Sequence, residues 1–170
     1  MSFLLQDILL RPDRAVELDA ARFNQLISQG RSTRLLASLA LELERAEVFA
    51  QIPPAVRRHF DSALLIHDKQ KRDLTYDCGK LGQNLQSIGV KLVLLKGGAY
   101  VQGGLPVGSG RLISDIDFLV PRQRIEEVEK LLNQFGWESS SMGSYNERYY
   151  RLWCHEIPPL CNRKRGTTLE

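Results

Sequence analysis

Arg111-Leu-Ile-Ser-Asp-Ile-Asp-Phe-Leu-Val120 is a short apolar run broken by two acids at alternate positions and closed by Pro121. Its density of Ile, Phe, Leu and Val predicts a buried β-strand. Successive strand side chains face opposite ways, so Asp115 and Asp117 share one face, about 6–7 Å apart along the chain. Two carboxylates in an oily strand are unfavourable unless something neutralises them. Mg²⁺ does so well, because it prefers oxygen ligands and commonly joins one or two carboxylates to substrate phosphates. The plainer reading makes Asp115 a surface residue at a strand start, with Ser114 opening a turn. That accounts for one acid and leaves Asp117, between Ile116 and Phe118, unexplained.

Upstream of these acids, Val90-Lys-Leu-Val-Leu-Leu95 predicts another strand, left through Lys96-Gly97-Gly98 into a short helix, 99–102. Glycines allow backbone N–H groups to approach phosphate oxygens, and a following helix adds a favourable dipole. Lys96 and Arg111 would add positive charge near such phosphates. Taken alone, these residues are better read as a β-to-α turn that simply needs glycine. Downstream, 122–135 has the period of an amphipathic helix ended by Gly136. Strand-like runs follow at 149–157 and 167–170.

Before Gly89 the grammar is helical: a short segment at 3–10 stopped by Pro12, a helix capped by Asp19 and stopped at Gly30, and a helix capped by Ser32 or Thr33. A long helix follows from about 55 to 87. The chain therefore divides into a helical N-terminal subdomain, 1–88, and an α/β core, 89–170. At 170 residues, with 43% hydrophobic and 25% charged residues, it has the composition of a soluble globular protein. A net charge of +3 is too small to argue for nucleic-acid binding. Three cysteines at irregular spacing suit a reducing cytoplasm rather than a disulfide framework, and no disulfide-linked partner is expected. Neither a signal peptide nor a membrane span is expected. Cys154, His155 and Cys161 match no usual zinc spacing. His59 and His67 are expected on the solvated flank of the long helix.

Strand, Gly-Gly turn, short helix, strand with Asp-x-Asp: this order resembles the nucleotidyltransferase superfamily typified by DNA polymerase β, and within it the bacterial group of uncharacterised nucleotidyltransferases. The residues that carry the resemblance are Leu94-Leu-Lys-Gly-Gly-Ala99, Arg111 to Val120, the helix leading to Phe135-Gly-Trp137, and His155-Glu-Ile-Pro-Pro-Leu160. The resemblance spans about Val90 to the C-terminus. It implies an α+β fold, with a small mixed sheet and flanking helices, preceded here by the helical subdomain. It also implies Mg²⁺-dependent (or Mn²⁺-dependent) transfer of a nucleoside monophosphate from an NTP, with ATP the expected nucleotide, to an acceptor hydroxyl. The acceptor stays open among a small molecule, a sugar, a protein and RNA.

By the same resemblance Asp115, Asp117 and a third acid, Glu170, would be the catalytic and metal-holding residues, with Glu170 as base. Lys96, Gly97, Gly98, Arg111 and Ser114 would contact the substrate. Leu169-Glu170 also reads as the scar of an expression tag, which would leave the core truncated at its C-terminus. The loop between Gly98 and Asp115 is longer than in compact members of the superfamily, as a flap or as plain excess. Two alternatives stand beside the transferase. One is a Mn²⁺-dependent nucleotide-sugar glycosyltransferase, and the other a catalytically degenerate transferase fold that binds a partner.

Overall fold

The computed structural model describes residues 4–139, 148–154 and 156–170. Its contacts gather into two compact units, one of residues 1–72 with 104–112 and one of 73–103 with 113–170.

The first unit is helical. Leu4–Leu10 forms α1, and a 3₁₀ segment, Pro12–Glu17, follows it. Asp19 caps α2 (Ala20–Ser32) by accepting a hydrogen bond from the Arg22 N–H. Gly30 was expected to stop this helix but lies inside it, buried. A Cβ at Gly30 would fall 3.3 Å from the Leu36 Cα, so glycine is used there for close packing. The break comes later, at Arg34, whose φ of 59° ends one helix before α3 (Leu36–Arg45) begins with no side-chain cap. Leu26, Leu39, Leu43, Ile52 and Phe60 form the core, the last from the first part of α4 (Pro54–Ser87). The loop 104–112 is packed rather than free: Ser38 Oγ donates to the Ser109 carbonyl, and Gly110 lies against the Ser38 backbone.

The second unit holds the last turns of α4, where Leu74, Cys78, Leu81 and Leu85 continue the 3.6-residue period inward. The two compact units divide inside α4, at Arg72/Asp73, where that period runs on uninterrupted. His67, expected on a solvated flank, is 7% exposed. The strands are shorter than the sequence suggests. β1 is Val93–Leu94, α5 is Lys96–Gln102, and the acidic run splits into β2 (Asp115–Ile116) and β3 (Phe118–Leu119). A 3₁₀ turn and α6 (Ile125–Gln134) follow, then β4 (Trp137–Ser139), β5 (Leu160–Asn162) and β6 (Thr168–Leu169).

Two sheets result. β1 pairs antiparallel with β3, and a mixed sheet runs β2-β6-β5-β4, with β2 and β6 parallel. Residues 150–154, expected in a strand, form a π-helical turn that leaves Leu152 and Trp153 exposed. The architecture is mixed α+β with a helical N-terminal region, as expected.

Candidate active site

The parallel pairing of β2 with β6 builds the site. Asp115 lies opposite Thr168 and Ile116 opposite Leu169, both of the latter fully buried. Since side chains alternate, Asp115, Asp117, Thr168 and Glu170 share the other face. Glu170 is locked beside Asp117 by two backbone bonds: its N–H donates to the Ile116 carbonyl at 3.1 Å, and the Phe118 N–H donates to its carbonyl at 3.0 Å. Three acids thus lie on one edge, brought together from 53 to 55 residues apart by strand register alone.

Their environments differ. Asp117 is 6% exposed and sits where the chain passes from β2 to β3, its carbonyl accepting the Leu95 N–H at 2.9 Å. Lys96 Nζ donates to Asp117 Oδ1 at 2.5 Å. The sequence placed Lys96 toward phosphates; in the structure its ammonium is on an acid. That contact and the charges of Asp117, Glu170 and Asp115 raise the Lys96 pKa above the ordinary lysine value. Glu170 is raised too, first by partial burial and then by Asp115 and Asp117. Because Glu170 is exposed overall, water moderates this effect. Asp115 receives a hydrogen bond from Ser114 Oγ at 3.1 Å.

Lys96 has φ +44°, in the left-handed region, while the neighbouring glycines do not carry the turn. Gly97 and Gly98 are buried in the first turn of α5. A Cβ at Gly98 would meet only Ile116 Cγ2, at an ordinary 4.0 Å. Neither a positive φ nor close packing requires glycine at 98.

A pocket of about 160 Å³ adjoins the acids, walled by Leu95, Phe118, Val120 and Ile157, with Lys96, Asp117, Glu156 and Glu170 as its polar groups. Glu156 was not singled out from the sequence. Its charge also helps raise Glu170, but an exposed glutamate beside two prolines has no local signal that would have pointed it here. Arg111, expected with the acids, belongs to the first unit, in the loop 104–112 packed against α3. His155 and residues 140–147 lie outside the described residues.

The donor set fits a hard divalent cation, being carboxylate oxygens with a surplus of negative charge. Among the described residues, however, no three His, Cys, Asp or Glu side chains are gathered closely enough to hold one as they stand. Asp117 has spent one oxygen on Lys96. No helix among the described residues is long and apolar enough to cross a membrane.

A family model described as uncharacterised nucleotidyltransferase matches residues 19–170. The chain belongs to the uncharacterised nucleotidyltransferase family. The match begins at the cap of α2, so it takes in the helical region that the sequence resemblance, drawn from about Val90, had left out. Neither the curated proteins nor the solved structures contain a significant match. Membership in this family points to nucleoside monophosphate transfer in general.

Proposed function

We propose that this nucleotidyltransferase uses Asp115, Asp117 and Glu170 to hold Mg²⁺ (or Mn²⁺) and transfers a nucleoside monophosphate, from ATP as the expected donor, to an acceptor hydroxyl. One observation carries the reading: the parallel pairing of β2 with β6 brings a third carboxylate beside an alternating pair. A bound divalent cation would supply charge stabilisation for the phosphoryl oxygens and the leaving group.

The chain's own residues divide the remaining work. Gly97 and Gly98 offer backbone N–H groups to phosphate oxygens, and Lys96 supplies a mobile positive charge. The acceptor oxygen bonds to the α-phosphorus, the bond to the β-phosphate bridge breaks, and pyrophosphate leaves. The hydroxyl proton passes to Glu170, the carboxylate at the open edge of the site. Ser114 orients Asp115. The acceptor binds in the apolar pocket beside Glu156 and is a small molecule, a sugar, a protein side chain or RNA.

Family membership favours nucleotidyl transfer over the glycosyltransferase alternative. The degenerate binding module retains one supporting observation, the Lys96–Asp117 pair with no ready three-residue cluster. Incubation with ATP labelled at the α-phosphate, Mg²⁺ and a panel of hydroxylated acceptors separates the two. The expected result is Mg²⁺-dependent release of pyrophosphate, reduced about 10²–10³-fold in Asp117→Asn. Turnover by neither protein, together with no ATP binding, would favour the module.

A further inference from the structure

We infer that Lys96 is a resident counter-ion, holding the cation position on Asp117 until a metal–nucleotide complex arrives and draws the ammonium onto the triphosphate. This rests on the carboxylate reading above and extends it to the order of binding: free metal is disfavoured, and metal enters with nucleotide.

Three observations converge on it. Asp117 is nearly enclosed, its side chain 9% exposed, and the Lys96 ammonium lies 2.5 Å from Oδ1. A carboxylate so placed needs a cation at all times, because an enclosed charge without a partner is strongly unfavourable. The Lys96 side chain is itself 67% exposed, so it reaches the acid from the open side and is free to leave the same way. Lysine's ammonium is a compact charge on a flexible stem, suited to exchange between two anions.

The third observation is backbone. Lys96 holds φ +44°, a region where a non-glycine residue is strained, and it is followed by two glycines. Glycine would satisfy that backbone more easily. The chain tolerates strain to keep an ammonium at the turn, within reach of Asp117 and on the open side of it. The pocket beyond, lined by Lys96, Asp117 and Glu170, leaves room for the exchange.

Competition of this kind makes nucleotide and metal binding mutually dependent, since each ligand relieves a cost imposed on the other. The test is Mn²⁺ binding followed by the loss of its free-ion paramagnetic resonance signal, with and without a non-hydrolysable ATP analogue bridged by α,β-methylene. Lys96→Gly and Lys96→Met are compared with wild type, the glycine variant relieving the positive φ and a cooperative thermal transition showing that each variant is folded.

Without nucleotide, both variants should bind Mn²⁺ at least about threefold more tightly than wild type. The analogue should strengthen Mn²⁺ binding more in wild type than in either variant. Equal or weaker Mn²⁺ binding by Lys96→Gly would overturn the counter-ion role. Asp117→Asn keeps the two claims separable. If it binds Mn²⁺ as well as wild type does, the acids are not the metal site; if it loses Mn²⁺ while the lysine variants are unchanged, only the exchange fails.

Discussion

Asp117 and Glu170 carry the same charge on the same face, yet the chain treats them differently. Asp117 is enclosed and answered by Lys96; Glu170 stands at the open edge and is pushed toward its protonated form by partial burial and by its two acidic neighbours. A raised carboxyl pKa favours the folded chain below the unfolded-state value, and that advantage is lost as pH rises through the folded value. A metal binds the ionised form and reverses the preference. Mn²⁺ affinity should therefore begin to fall, as pH is lowered, above the ordinary glutamate range of about 4.3. In Glu170→Gln this part of the pH dependence should disappear; a profile identical to wild type would remove Glu170 from the site. The alternating acids were legible in the sequence because strand periodicity is strict. The partner of Asp117 was not, because Lys96 lies in a turn whose left-handed backbone has no glycine to announce it.

Elements were read best where they are long. The 34-residue α4 and the helix α6 follow their apolar periods closely, whereas two-residue strands carry too few positions for any pattern to bound them. The acidic run looked like one strand because apolar residues lie before, between and after its two acids. It is two, because β2 bonds to β6 while β3 bonds to β1, and Asp117 sits at the exchange. The aromatic run at 149–157 misled for a related reason, since exposed Leu152 and Trp153 show that its bulk does not all go to a core. The loop 104–112 gives a direct check on packing. Gly110 has φ +70°, and a Cβ there would come within 2.4 Å of the Ser38 Cα. Gly110→Ala should destabilise the chain by about 1–3 kcal/mol in thermal or denaturant unfolding. A stability equal to wild type would mean that this loop is not seated on α3.

For the molecule as a whole, the family match from residue 19 onward says that the helical region and the sheet region travel together as one inherited chain. Each unit has its own core, one centred on Leu39, Leu43 and Phe60 and the other on Leu85, Ile116, Leu132 and Leu169. All three acids and the lysine belong to the second. Composition could not reveal this partition, because α4 serves both cores without a break in its pattern. The chemistry assigned to the second unit depends on whether its acids take up a hard cation. Anomalous X-ray diffraction from crystals grown with Mn²⁺ and the α,β-methylene ATP analogue measures that directly. The expected result is a Mn²⁺ peak in contact with carboxylate oxygens of Asp115 and Asp117, with the Lys96 ammonium moved to the triphosphate. A map with no peak at these acids, and Lys96 still bonded to Asp117 beside a bound nucleotide, would contradict it.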